Sequence, residues 1–252
     1  MSIESEEDLV GIKKVSEAVA LTLKQMREHA KPGMTTKELD EFGYSILQSY
    51  RAQSAPKITY DFPGYTCISI NNEAAHGIPS DKTVLKDGDL VNIDVSAELD
   101  GYYADNGGSF ILGEDINSLG KLVDTSVRAL HKALQEIKGG VKIAEIGRVI
   151  ETEAKKNGFK VIKNLVGHGV GRSLHEEPHE IPCFYDKHET RRFRKNTVVA
   201  VETFISTKGS YVHEQGDGWT LLADVGAYVA QHEHTILITD GEPIILTAAN
   251  GI

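Results

Sequence analysis

Acidic residues normally avoid apolar strands. Yet Asp94 lies inside Leu90-Val-Asn-Ile-Asp-Val-Ser, Glu202 inside Val198-Val-Ala-Val-Glu-Thr-Phe, and Glu233 just ahead of Thr235-Ile-Leu-Ile. A carboxylate in such company costs several kcal/mol unless it is paired or bound to a metal. Asp105 follows Asp94 by eleven residues across a turn signal at Asp100-Gly101, so two paired strands would bring both carboxylates together. Gly167-His168-Gly169-Val170-Gly171 adds an imidazole flanked by glycines, which permit close backbone approach around the ring. Four acids facing one point would repel each other without a cation. The alternative for each is a salt bridge to one of the 27 Lys or Arg residues. A mixed carboxylate and His set suits Mn, Fe, Co or Zn, whereas Ca or Mg favours all-oxygen shells. Five ligands exceed one tetrahedral site. Bridging carboxylates could hold two divalent metal ions roughly 3.5 to 4 Å apart around a shared water, lowering its pKa from about 15.7 towards 7 and polarising a carbonyl. The implied chemistry is metal-assisted hydrolysis.

Two further histidines stand out: His76 in the turn-forming Ala74-Ala-His-Gly-Ile-Pro, and His175 seven residues after His168. Each is a candidate for proton or hydrogen-bond chemistry, against the alternative of an ordinary surface His among ten. The Gln231-His-Glu-His tract looks like a metal motif. In a strand, however, His232 and His234 should point away from Glu233. There is no Gly-x-Ser-x-Gly elbow and no phosphate-binding Gly-x-x-x-x-Gly-Lys-Ser/Thr loop.

The elements that must position these groups follow from hydrophobic period. Ile12, Val15, Val19, Leu23 and Met26 mark one face of a helix over Glu6 to Ala30. Lys31-Pro32-Gly33 stops it, and Thr35 with Glu38 forms a capping box for a second helix carrying Leu39, Phe42, Ile46 and Tyr50. The segments 66–70, 89–98 and 101–112 then read as strands. The same order returns: helices through Leu119, Leu122, Leu130, Leu134 and Ile137 and through Ile143, Ile146 and Ile150, then strands at 160–166, 197–205, 211–222 and 227–239. The acidic stretch Glu4 to Asp8 reads as a solvated helix start that suits the helix dipole. The expectation is one α+β domain over 1–252, with related halves at about 6–112 and 118–247, a mostly antiparallel sheet and helices packed on one face.

The chain is 252 residues long, enough for a proper core without disulfides. Its two cysteines, Cys67 and Cys183, form no framework and suit a reducing compartment. A net charge of −10 argues against nucleic-acid binding as a main function. No apolar stretch approaches the roughly 20 residues needed to cross a bilayer, so no membrane association is expected. The acidic start lacks the features of a secretory signal, so a cytoplasmic location is expected.

Asp94, Asp105, His168, Glu202 and Glu233, at spacings of 11, 63, 34 and 31, resemble the dinuclear site of the methionine aminopeptidase and aminopeptidase P superfamily, whose fold is the pita bread. Lys31-Pro-Gly-Met-Thr-Thr, Thr66-Cys-Ile-Ser-Ile-Asn, His76-Gly-Ile-Pro, Gly167-His-Gly-Val-Gly and Glu233-His-Thr resemble the type I methionine aminopeptidases in particular. The resemblance runs from about residue 6 to 247. It implies that those five residues hold the metals, with Glu202 also taking a proton from the nucleophilic water. His175 would donate to the carbonyl oxygen as it becomes an oxyanion, and His76 would contact the nitrogen of the scissile bond or of the next residue. Phe62, Cys67, His76, Leu174 and Trp219 would form the pocket for the methionine side chain, where a thioether gains contacts with aromatic rings. The implied substrate is a nascent or short peptide beginning with Met, followed by a small residue, and the implied enzyme is a monomer of minimal bacterial type. Transient ribosome association would be local and salt-sensitive at this net charge.

Three positions depart from the family pattern, as does the segment Ala223-Asp-Val-Gly-Ala before Tyr228, which lacks the usual charged Asp-Lys or Asp-Arg pair. Asn106 stands where Thr commonly follows the second Asp ligand, Thr203 where Pro commonly follows the first Glu ligand, and Leu174 where an aromatic is frequent. The first two bear on hydrogen bonds behind the ligands. Two rival readings are a proline-directed aminopeptidase or dipeptidase of the same fold, which usually carries a separate N-terminal domain, and an inactive pita-bread binding protein, which typically loses metal ligands.

Overall fold

A computed structural model describes residues 1–252. Five helices are present: α1 Glu6–His29, α2 Thr36–Ser49, α3 Ala55–Tyr60, α4 Gly120–Glu136 and α5 Ile143–Lys156. The first half contributes strands β1 Gln53–Ser54, β2 Cys67–Ile70, β3 Glu73–Ala75, β4 Leu90–Leu99 and β5 Tyr102–Ile111. The second half contributes β6 Lys160–Val161, β7 Val166–Gly169, β8 Glu176–Pro182, β9 Val198–Ser206, β10 His213–Glu214, β11 Leu221–Leu222, β12 Val229–Leu237 and β13 Ile244–Ile245. Both α1 and α2 begin with capping boxes, from Ser5 with Asp8 and from Thr35 with Glu38.

The main sheet runs β1-β4-β5-β12-β9-β7-β8, with β2 on β4, β6 on β9 and β13 on β12. Every pairing is antiparallel. β4 and β5 form a hairpin over Asp100 and Gly101, whose φ angles of 54° and 82° are those a two-residue hairpin loop demands. The halves meet where β5 joins β12 at Gly108 and His232.

Alternation along the strands separates core from cavity. Val91, Ile93, Val95 and Ala97 of β4 pack with Ile12, Val15, Val19, Leu23 and Met26, the stripe predicted for α1. A second cluster joins Leu122, Leu130 and Leu134 of α4 and Ile143, Ile146 and Ile150 of α5 to Val199 and Val201 of β9. The intervening residues Asp94, Ser96, Glu202 and Phe204 face a cavity on the other side of the sheet. The architecture is the expected α+β pita-bread fold.

Several local expectations are corrected. The span 211–222 is no continuous strand, because Glu214 and Asp217 side chains accept from the backbone of Gly216, Gly218, Trp219 and Thr220 and turn the chain. Its two short ends form a separate three-stranded sheet, β10-β11-β3. The span 160–166 is divided between β6 and β7. Asp8 is buried and accepts hydrogen bonds from Tyr102 and Arg172, so the acidic start is partly a tertiary contact. Helix α3 and strand β8 had no counterpart in the hydrophobic pattern, and α3 lies on the cavity side through Pro56 and Tyr60.

Candidate metal centre and active site

Glu202 of β9 and Glu233 of β12 are direct cross-strand partners, so their side chains rise from the same face of the sheet. On β4 and β5, Asp105 pairs with Ser96, one step along from Asp94 on that face. His168 pairs with Ala200 on β9, which carries its ring over the same point. Ligand atoms of Asp105, His168 and Glu233 all lie within 4.8 Å of one another. The His168 Nε2 is 3.7 Å from Asp105 Oδ2.

The electrostatics of this cluster are unfavourable without a cation. None of its four acids meets a Lys or Arg, so the salt-bridge alternative fails at every position. Burial and the charge of neighbouring Asp105 push Asp94 and Glu233 well above the carboxylate range. Burial, followed by Asp105, raises Glu202 to about 8. Burial raises Asp105 itself to about 6, against a hydrogen bond from Asp94 that lowers it. Burial, with His175 beside it, lowers His168 to about 3 and keeps the imidazole neutral. Its Nδ1 lies 3.0 Å from the Gly169 carbonyl, which can only accept. Nδ1 therefore carries the proton and Nε2 keeps a free lone pair. The Asp105 Oδ1 atom is buried without any hydrogen-bond partner. Four converging carboxyls, an orphaned oxygen and an imidazole with a free nitrogen fit a site for divalent metal.

Gln231 makes the cluster rigid. Its Nε2 donates to Glu233 Oε2 at 3.1 Å and to Glu202 Oε2 at 3.3 Å, while its Oε1 accepts from Asn92 Nδ2 at 2.8 Å. Only one orientation of the amide satisfies all three contacts. As alternation requires, His232 and His234 point to the other face, where they bond Ser126 and Thr247.

All eleven residues singled out in the sequence line one cavity of about 420 Å³. Asp94, Asp105, His168, Glu202 and Glu233 face it together with His76, His175, Phe62, Cys67, Leu174 and Trp219. His76 sits in the left-handed region at φ 55°, which turns its ring into the cavity mouth. Phe62 and Trp219 meet edge to face with centroids 5.1 Å apart. Leu174 is buried at 3 % exposure, so it forms wall rather than rim. Sequence reasoning missed Tyr60, Ser96, His179 and Phe204 on the lining. Only Tyr60 had a local signal: Ser54 caps a short helix with Pro56 in its first turn.

The two departures behind the ligands are accommodated on the opposite face. The Asn106 Nδ2 donates to the Val95 carbonyl and its Oδ1 accepts from Asn250. Thr203 Oγ1 lies 2.7 Å from Ser126 Oγ on α4 and bonds the His232 backbone. Neither side chain enters the cavity.

The profile of metallopeptidase family M24 matches residues 10–240. Methionine aminopeptidase 2 of Bacillus subtilis (strain 168) is 51% identical over 247 residues, covering 98% of this chain and 99% of that one. The methionine aminopeptidase of Staphylococcus epidermidis (strain ATCC 12228 / FDA PCI 1200) is 42% identical over 248 residues, with 98% of each chain covered. The crystal structure of methionine aminopeptidase from Thermotoga maritima superposes with a TM-score of 0.93 at 35% identity, covering 98% of this chain and 99% of that one. Prolidase from Pyrococcus furiosus shares the fold at a TM-score of 0.76 and 22% identity, and the match spans 65% of its length. With the profile matched across nearly the whole length and five candidate metal ligands converging in one cavity, this chain belongs to metallopeptidase family M24.

Proposed function

We propose that the chain is a metallo-aminopeptidase that removes the N-terminal methionine from nascent or short peptides, favouring a small second residue. The observation that carries this reading is the 51% identity to a methionine aminopeptidase over essentially the full length of both chains. Two divalent ions, drawn from Mn, Fe, Co or Zn and held by Asp94, Asp105, His168, Glu202 and Glu233, would polarise the scissile carbonyl and activate a water. Glu202, the carboxylate facing that water, would take its proton. His175 donates to the carbonyl oxygen as negative charge develops there, a contact worth roughly 3 to 4 kcal/mol of barrier in comparable sites. His76, across the cavity mouth, hydrogen-bonds the nitrogen of the scissile bond or of the residue beyond. The methionine side chain is received by Phe62, Cys67, Leu174 and Trp219, where its sulfur meets two aromatic rings.

The proline-directed alternative draws support only from structures such as the prolidase at 22% identity, which speak for the fold alone. The buried free thiols Cys67 and Cys183 support a reducing, cytoplasmic setting. The test is hydrolysis of Met-Ala-Ser and Ala-Pro-Ala by chelator-treated protein, with Mn, Co, Fe or Zn restored singly. Metal-dependent release of Met from the first peptide alone is expected. Cleavage of the second would move the protein to the proline-directed branch, and silence with every metal would leave a binding protein.

A further inference from the structure

His175 has two ring nitrogens and one partner in the protein. Its Nδ1 lies 2.7 Å from the hydroxyl of Tyr60, at the C-terminal end of α3, and its Nε2 makes no hydrogen bond within the chain. The Tyr60 hydroxyl has no other partner. The two rings are tilted at 46° with centroids 5.6 Å apart, and His168 packs on His175 at 4.1 Å. From this arrangement we infer that Tyr60 is a positioning residue: its O–H donates to Nδ1 of His175 and fixes the tautomer whose proton sits on Nε2.

The chemistry favours that direction. A hydrogen bond to one ring nitrogen decides where the imidazole proton lies. A phenol O–H is a stronger acid than a neutral imidazole N–H, and the in-plane lone pair of the ring nitrogen is a better acceptor than a phenol oxygen, so the phenol donates. Burial raises the Tyr60 pKa and keeps that proton in place through the neutral range. The consequence rests on the aminopeptidase reading above. His175 can serve a developing oxyanion only as a donor, and with Nδ1 occupied by Tyr60 the donor is Nε2–H. The same ring in the other tautomer would turn a lone pair towards the oxyanion and repel it.

The test is nitrogen NMR of the zinc-loaded protein labelled with 15N-histidine, with His175→Asn identifying the His175 signals, together with steady-state kinetics of Tyr60→Phe. The wild type should carry its His175 proton on Nε2. Tyr60→Phe should show a mixture of tautomers and a kcat lower on the order of 10-fold, as when a partner that orients an active-site group is lost, with KM little changed. Wild-type protein protonated at Nδ1 overturns the inference without recourse to any variant. So does Tyr60→Phe with an unchanged tautomer and unchanged kcat. Failure of the aminopeptidase reading shows separately, as wild-type protein that releases no methionine with any metal, and the nitrogen spectrum decides the Tyr60 bond in either case.

Discussion

Replacing Asp105 by Asn should stabilise the metal-free protein and destabilise the metal-loaded one relative to wild type. The argument starts from a carboxyl whose pKa is 3.8 in the open chain and about 6 in the fold, raised first by burial. Such a group favours folding least when ionised. Stability is lost as pH rises from about 4 to about 6, because over that window the native state binds more protons than the unfolded chain. At roughly 1.4 kcal/mol per pH unit, the loss above that window is about 3 kcal/mol. The side-chain amide introduced by Asp105→Asn has nearly the same shape as the carboxyl and no charge, and its oxygen still accepts from Asp94. It also relieves Asp94, Glu202 and Glu233, all of which Asp105 pushes up. With chelator at pH 7.5, Asp105→Asn should therefore unfold at higher urea, by up to about 3 kcal/mol, and its stability should fall less steeply than that of wild type between pH 4 and 6. Free metal at roughly 1,000 times its dissociation constant adds about 4 kcal/mol to the wild type. The variant, lacking a ligand, gains little, so the order reverses and methionine release is abolished. A variant less stable than wild type in chelator, or an order that metal does not reverse, would refute the claim that the cavity is held together by its cation.

Three further outcomes are expected. His175→Ala should lower kcat by roughly 10²- to 10³-fold while leaving the urea midpoint close to wild type, because its ring is exposed at the cavity mouth; kinetics and unfolding on the same preparation check both halves. Gly107 lies opposite Asp94, and a methyl there would meet the amide of Gln231, which cannot step aside without leaving Asn92, Glu202 and Glu233. Gly107→Ala should weaken metal binding by roughly 10- to 100-fold, measured by calorimetric titration. Thr203→Val should cost about 1 kcal/mol by removing the hydroxyl that bonds Ser126 and the His232 backbone, while Ser126 keeps the Ala230 carbonyl and His232 Nδ1 as partners. Urea unfolding should show that loss, and metal titration should show unchanged affinity, since the side chain faces α4 and not the cavity.

The acids were legible because a charge inside an apolar strand violates a strong local rule, and the violation itself points to function. Period-2 alternation then turned His232 and His234 away from Glu233 without any knowledge of the fold. What alternation cannot supply is the partner of each group, because partners come from sequence separations that no local pattern spans. Asn92 and Gln231 are 139 residues apart, Arg172 and Asp8 are 164 apart, and Tyr60 reaches His175 across 115. Each of these pairs orients something the sequence did reveal: Gln231 holds the two glutamates, Arg172 ties the loop bearing His175 to α1, and Tyr60 sets the proton on His175. The same division explains the strand predicted at 211–222. Its residues have strand propensity, but Glu214 and Asp217 satisfy the local backbone with their own carboxylates and divert it before a ladder can form. The candidate ligands of this site are thus written in local pattern, and the groups that aim them are written only in the tertiary fold. It follows that relatives sharing all five ligands can still differ in rate through residues such as Tyr60. Exchanging Tyr60 and its α3 neighbours between two such relatives should therefore carry kcat with the segment while leaving metal affinity with the sheet.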